Sequence, residues 1–365
     1  MSNLIYYTPG RFEGLGHLPD VKVFLSLFRI FNHNISFVDR TGIITPPVNV
    51  FTPTQISLPD ADFNFNMSFD DCAVDRAEQI YKKHKEFGVP IRLSWSGGID
   101  SSSALMGFIK LLGVTEARRC LEIAMTAEIF LENPLLWENV VRKENFKIVN
   151  ALQFPDQWDR GVIMVNGEGG DQVHGTDIYR GLVKRYGEGA MRIEWNEANI
   201  VEFIKFRDST LTDKEAEFLG GLLINQVRQS PLDIVTFADF WWWLNFTCKW
   251  ASTFYRLLTK SPNPISYELV DNYFFPFYNS KNFQLWSMHK REEKHKGNWA
   301  TYKWKSKEFV ANTSGCAGYV KKHRQGSLTS VLSHTVRFEG IDDSFNFYDK
   351  INPEDWYNPN NSFKV

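Results

Sequence analysis

The 365-residue chain carries 41 basic and 43 acidic side chains, a formal charge of −2; no global field is available to hold a polyanion, and a nucleic-acid contact would need a local basic patch. That length suits one large α/β domain or two fused domains rather than one small core. Cys72, Cys120, Cys248 and Cys316 form no C-x-x-C pair and no metal-ligand cluster, which argues against a structural zinc and for a reduced compartment. The most apolar runs, residues 23–31 and 237–246, are interrupted by Arg29 and Asp239 and are too short to span a bilayer. The N-terminus lacks a secretory pattern, so a cytoplasmic location without membrane contact is expected.

In chain order, residues 1–67 place Gly, Pro, Asn and Asp around short β-branched runs and read as a small β-rich appendage of strands and turns. Ser68-x-x-Asp71 marks a helix start, and Val74, Ala77, Tyr81 and His84 continue it toward Gly88. Residues 89–95 form an apolar run that breaks at Ser96-Gly97-Gly98, after which Ala104, Leu105, Phe108, Leu111 and Leu112 repeat at helical spacing. Residues 121–126 and 162–165 read as second and third strands, with an amphipathic helical stretch at 135–141 between them. Strands alternating with helices predict an α/β fold with a doubly wound parallel sheet. From about residue 178 to 322 the pattern is mostly helical. Aromatic residues make up 15 % of the chain and crowd this half, as in Trp241-Trp242-Trp243, where a packed core explains them better than a platform for stacking bases. The tail from Asp342 reads as a surface extension.

The chemistry concentrates in two glycine-rich turns. Ser94-Trp95-Ser96-Gly97-Gly98-Ile99-Asp100-Ser101-Ser102 sits at a strand-to-helix turn. Its glycines let backbone approach an anion, the next helix points its first amides at the loop, and the serine hydroxyls add donors. Asp100 inside a phosphate-binding turn would repel the phosphates unless a cation intervened, which implies Mg²⁺. The second turn, Asn166-Gly167-Glu168-Gly169-Gly170-Asp171-Gln172-Val173-His174-Gly175, places Glu168 and Asp171 on one short turn after the third strand. Asp171 can share Mg²⁺ with Asp100, while Glu168 faces an acceptor amine that it can orient or deprotonate.

The first segment resembles the pyrophosphate loop of the N-type ATP pyrophosphatases. The second is similar to the Gly-Glu-Gly-Ala-Asp-Glu segment of the asparagine synthetase group within that superfamily, with Gly170, Gln172 and His174 departing from its pattern. More loosely, residues 273–279 resemble the group's Arg-x-Pro-Phe-Leu-Asp segment, which starts a helix, although Phe274 or Phe275 stands for the arginine and Asn279 for the aspartate. The resemblance spans about residues 68–330 and implies a HUP-like ATP pyrophosphatase domain. Its α/β part would cover about 68–190 and its mostly helical part about 191–330, with 331–365 as a C-terminal extension. It implies ATP on Ser94, Ser96, Gly97, Gly98, Asp100, Ser101, Ser102, Thr126 and Gly167, and Mg²⁺ on Asp100 and Asp171. Catalysis would fall to Glu168 and to a lysine near the reacting phosphate, Lys322 counting from Phe309, with Lys321 beside it. The group's amidotransferases begin with a glutaminase domain; fewer than seventy residues precede the resemblance here, so glutamine hydrolysis is not expected.

The expected function is an ATP-dependent ligase that adenylates a carboxylate or amide-like oxygen of a small molecule, releases pyrophosphate and joins the carbon to ammonia or another amine. A nucleobase- or nucleotide-modifying pyrophosphatase is the first alternative, and a non-catalytic nucleotide-binding module the second.

Overall fold

The computed structural model describes residues 5–6, 9–33, 37–48, 57–126, 129–151, 160–255, 267–321, 346–347, 357–361 and 363. Its centre is a five-stranded, all-parallel sheet. Helix α2 (Phe69–Phe87) starts on a capping box, Ser68 accepting from the Asp71 amide and Asp71 from that of Ser68, and ends on a left-handed Gly88. Strand β1 (Ile91–Ser94) then leads through the first glycine turn into α3 (Ile99–Cys120) and β2 (Leu121–Met125). After short helical turns come β3 (Lys147–Asn150) and β4 (Ile163–Asn166), and far along the chain β5 (Phe274–Pro276).

The strands lie in the order β3, β2, β1, β4, β5, with Leu93 beside Ile123 on one side and Val165 on the other. Every residue of β2 and β4 is buried, as expected for parallel strands covered on both faces, and that burial explains why they read as continuous apolar runs. Glu122 is buried within β2 between Arg92 of β1, at 2.6 Å, and Lys147 of β3. From β1 the chain builds outward through β2 to β3, then returns to lay β4 on the other side of β1. This reversal of direction opens a crevice at the carboxyl ends of β1 and β4.

The two outer strands are absent from the sequence-based expectation. β3 is largely solvent-exposed and carries Lys147, so it lacks the apolar signature of the inner strands and is blunted by charge as edge strands often are. β5 has only three residues and ends on Pro276, tolerable at an edge; its phenylalanines share their composition with the surrounding helical core. The loosely matched segment 273–279 thus holds the three-residue strand and the turn after it, and the following helix, α9 in chain order (Lys281–His289), starts on Ser280.

Between β4 and β5 lie α4 (Gly170–His174), α5 (Ile178–Tyr186), α6 (Glu197–Arg207), α7 (Asp213–Arg228) and α8 (Phe237–Cys248). In α8 every residue except Asp239 is buried, including Trp241, Trp242 and Trp243, which agrees with the core assignment. After α9, helix α10 (Trp304–Ser314) returns to the sheet and packs on α3.

Residues 1–67 depart from the expected β-rich element. Residues 19–30 form helix α1 (Pro19–Ile30), buried along most of its length. Its apolar residues at 21, 23, 24, 25, 27, 28 and 30 fit both alternating and helical spacing, which blurs the periodicity distinguishing helix from strand. Among the described residues of this segment, β pairing is confined to Ile5–Tyr6 with Asn346–Phe347 and a bridge from Val48 to Tyr357. The segment joins the helical half: Arg29 pairs with Asp208 at 2.6 Å, Phe31 meets Trp241 edge-on, and the Lys249 ammonium donates to the Phe31 carbonyl. Of the expected surface tail, most lies outside the described residues; the described part returns to α1, with Phe363 buried against Phe24 and the Tyr357 hydroxyl donating to Asp20. No helix among the described residues is long and apolar enough to cross a membrane, and the four cysteines are buried free thiols.

One buried cation ties α2 to the end of β5. Arg76 donates to the carbonyls of Pro276 and Phe277, and burial pulls its guanidinium down to about 10. Arg76→Ala leaves both carbonyls without this donor. At about 1–3 kcal/mol per unsatisfied group, urea unfolding should show a loss of about 3 kcal/mol with native secondary structure retained.

Candidate active site

The crevice at the sheet reversal is walled by the two glycine turns. In the first, Trp95 is fully buried and its indole donates to Ser102 Oγ at 3.0 Å. Gly97 takes the left-handed conformation, with φ 70°, and a Cβ there would lie 3.1 Å from Glu132 Cγ and 3.2 Å from Asn133 Cβ. The Asn133 amide donates to the Gly97 carbonyl at 2.8 Å and so fixes the turn from outside. Among the described residues no side chain caps the N-terminus of α3, and the first-turn amides of such a helix end are suited to an anion.

The second turn lies directly against the first. A Cβ on Gly167 would come 2.6 Å from the Ser101 amide nitrogen, and one on Gly170 would come 2.2 Å from Asp100 Cγ. These distances are far below van der Waals contact, so only glycine permits the approach. The Asn166 side chain accepts from the Glu168 amide at 2.9 Å, and its carbonyl accepts from the Phe277 amide at 2.8 Å, tying the turn to the end of β5.

Asp100 and Asp171 thereby converge on one point, which the Lys303 ammonium occupies at 2.5 Å from Asp100 Oδ2 and 2.8 Å from Asp171 Oδ1. The Tyr302 hydroxyl donates to the same Asp171 oxygen at 2.9 Å. Lys303 is only 6 % exposed. Burial by itself would lower its pKa, but the two carboxylates outweigh burial and raise it, so the ammonium is firmly charged. Burial and the neighbouring acids push the Tyr302 phenol well above its usual range, keeping it a donor. Two hard carboxylate oxygens aimed at one cation position suit Mg²⁺, which usually takes few protein ligands and completes its shell with phosphate and water. Among the described residues no group of three or more His, Cys, Asp or Glu could hold a metal ion.

The other expected residues separate by position. Ser96 and Ser101 bond to each other at 3.0 Å within the loop, Ser101 being buried and also accepting from the Ser96 amide, and Ser102 is fully buried and accepts from Trp95, a structural role. Ser94 ends β1 half-buried. Thr126 follows β2 buried, its hydroxyl without a hydrogen-bond partner among the described residues. Glu168 is half-buried on the second turn. Lys321 is exposed at the end of the short helix Ala317–Lys321, and Lys322 lies outside the described residues. Gln172 and His174, two departures from the resembled pattern, point into the core: His174 is fully buried and its Nε2 lies 2.6 Å from Ser306 Oγ on α10. Burial first, and then Lys303, hold that imidazole well below its usual pKa, so it is neutral.

Sequence reasoning missed Asn133, Tyr302 and Lys303. Asn133 carries a faint signal, an Asn-Pro pair opening a short helix. Lys303 carries none, because it stands apart from the basic cluster that drew attention and reaches the acids through a left-handed residue ahead of α10. One turn further, Lys307 donates to the Ala300 carbonyl, and burial followed by the Lys303 charge pulls it down to about 8 from the ordinary 10.5. Between these values the unfolded chain binds the proton and the folded one releases it, so this residue's contribution to stability rises as pH climbs from 8 to 10.5. In Lys307→Met that rise, up to about 3 kcal/mol, should vanish from urea titrations across this range.

No protein-family model, curated protein or solved structure matches the chain.

Proposed function

We propose that this chain is an ATP-dependent ligase of the asparagine synthetase type, built on an ATP pyrophosphatase domain. The observation that carries the proposal is the contact between the two glycine turns, which brings Asp100 and Asp171 to one cation position beside the uncapped N-terminus of α3. Nucleotide phosphates would lie along Ser96, Gly97, Gly98 and Ser101 on the first-turn amides, with Gly167 allowing close approach from the other side. Asp100 and Asp171 would hold Mg²⁺, which when bound neutralises the phosphates and polarises the phosphorus under attack. A substrate oxygen attacks the α-phosphorus, pyrophosphate leaves, and an amine displaces AMP from the activated carbon. Glu168, on the rim of the second turn, would orient or deprotonate that amine. Positioning and charge compensation are the protein's main contributions.

A second reading, in which the activated oxygen belongs to a nucleobase, is favoured by one observation. Trp299 is partly exposed and stacks on Tyr302, ring centroids 4.9 Å apart, and Tyr302 in turn bonds Asp171. A planar acceptor could extend that stack.

The test is pyrophosphate release from ATP and Mg²⁺ against a panel of carboxylates, amines and nucleotides. Stimulation by a carboxylate with an amine is the expected result. Stimulation by nucleotides alone, lost in Trp299→Ala, would select the second reading, and no heat on titrating ATP with metal would end both.

A further inference from the structure

We infer that Lys303 is a resident counter-ion of the acid pair, closing it to free divalent cations until a nucleotide's phosphates arrive to take the ammonium. The inference rests on the proposed metal role of Asp100 and Asp171. Its ground is the geometry of Lys303 itself. The ammonium sits 2.5 and 2.8 Å from one oxygen of each carboxylate, at the position a bridging ion would need. A divalent ion and an ammonium cannot share that position, since two cations about 3 Å apart in a poorly hydrated site repel strongly.

The contact is also built rather than adventitious. The side chain is buried, and the residue takes a left-handed backbone, φ 60° and ψ 39°, although it is not glycine; such a conformation persists only where its surroundings enforce it. Tyr302 on one side bonds Asp171, and Ser306 on the other bonds His174 of α4, so the turn carrying Lys303 is fastened to the second glycine turn at both ends.

The ammonium has a nearby alternative to the acids. Asp100 lies in the first turn of α3, where phosphate oxygens would bind, so a short swing about the lysine side chain exchanges carboxylate for phosphate. A ligand can drive such an exchange only if it binds the displaced arrangement better. Metal with phosphate satisfies that condition, because the phosphate compensates the ammonium while the metal compensates the acids. Free metal leaves the ammonium buried without a counter-charge. Lys303 would thus make metal and nucleotide bind cooperatively and then place positive charge on the phosphates.

Mn²⁺ binding, followed by electron paramagnetic resonance, tests this on wild type, Lys303→Gln, Lys303→Arg and the double variant Lys303→Gln/Asp171→Asn, each alone and with α,β-methylene ATP. Lys303→Gln should bind free Mn²⁺ at least about tenfold more tightly than wild type, Lys303→Arg should resemble wild type, and the double variant should lose the gain. The nucleotide analogue should raise Mn²⁺ affinity strongly in wild type and little in Lys303→Gln. Equal affinity of wild type and Lys303→Gln for free Mn²⁺, with the analogue still recruiting Mn²⁺ to wild type, overturns the counter-ion role and leaves the metal role standing. Failure of every protein to recruit Mn²⁺ with the analogue removes both. Lys303→Met, of similar length and uncharged, takes the place of the Gln variant should that protein not fold.

Discussion

Asp171→Asn should lower pyrophosphate release from ATP by about a hundredfold to a thousandfold, the usual cost of removing one pre-positioned electrostatic group from a reacting centre; Asp100→Asn should cost at least as much. The amide keeps the shape and still accepts the Tyr302 hydrogen bond, but it removes one of the two negative charges that converge on the Lys303 position. The metal would then be held by a single carboxylate. Asp100 lies closer to the phosphate loop, in the first turn of α3 and in contact with Gly170 of the second turn, so its loss disturbs both walls. With side-chain exposures of 24 % and 34 % the two acids are partly solvated, and the buried Lys303 keeps one carboxylate partner in either variant, so the accompanying loss of stability should be modest. Thermal melts within a few degrees of wild type, together with the rate loss, would separate chemistry from folding. Parent-like pyrophosphate release by both variants would show that the acids are not the metal site.

Gly167→Ala should abolish measurable ATP binding. The added methyl would sit 2.6 Å from the Ser101 nitrogen and 2.9 Å from the Asp100 carbonyl carbon; both are backbone atoms, so no rotamer change relieves the clash. Nor can the turns simply part, because each continues a strand, and β1 and β4 are paired in register from Ile91–Ile163 to Leu93–Val165. Overpacking of this kind costs about 1–3 kcal/mol, and here the strain falls on the loop that would bind phosphate. At Gly170 the methyl would strike the Asp100 carboxylate itself, 2.2 Å from Cγ, so Gly170→Ala should drive Asp100 off Lys303 and act as a second disruption of the acid pair. Gly221→Ala is the matched control. It lies exposed on α7 with nothing within 4 Å of the added atom, and it should bind ATP normally and gain up to about 1 kcal/mol of stability from helix propensity. Calorimetric titration with ATP and Mg²⁺ compares all three, and wild-type affinity in Gly167→Ala would remove the clamp.

Local chemistry made part of this molecule legible. The three inner strands announce themselves because β2 and β4 are buried on both faces and β1 on one and half-buried on the other, leaving runs without a polar residue at 163–165 and nearly so at 91–93 and 121–125. The two glycine turns are visible because the approach of backbone to backbone across Gly167, and of backbone to carboxylate across Gly170, admits no side chain. Ser68 and Asp71 start α2 within four residues of sequence. The aromatic content of α8 follows from its burial on all sides.

What the residues could not disclose is set by contacts between distant parts of the chain. β3 is short and mostly exposed and β5 brief, so each depends on an inner neighbour to supply its hydrogen bonds. α1 reads equally as strand or helix until the helical half closes around it. Ser102 and Ser101 are adjacent and chemically identical, and only their partners differ: Trp95 and Asn133 donate to Ser102, whereas Ser101 bonds within the loop to Ser96. Lys303 stands among Lys296, Lys305 and Lys307, apart from the 321–322 cluster, and nothing local distinguishes it from these neighbours. By itself the sequence determined the parallel α/β core, whose inner strands must be buried apolar runs, and the two glycine turns, where close backbone approach excludes side chains. Tertiary structure alone decided which cation meets Asp100 and Asp171, because two carboxylates seventy residues apart and a lysine well over a hundred residues further on share a site only once the sheet has brought β1 beside β4 and α10 has returned to cover them.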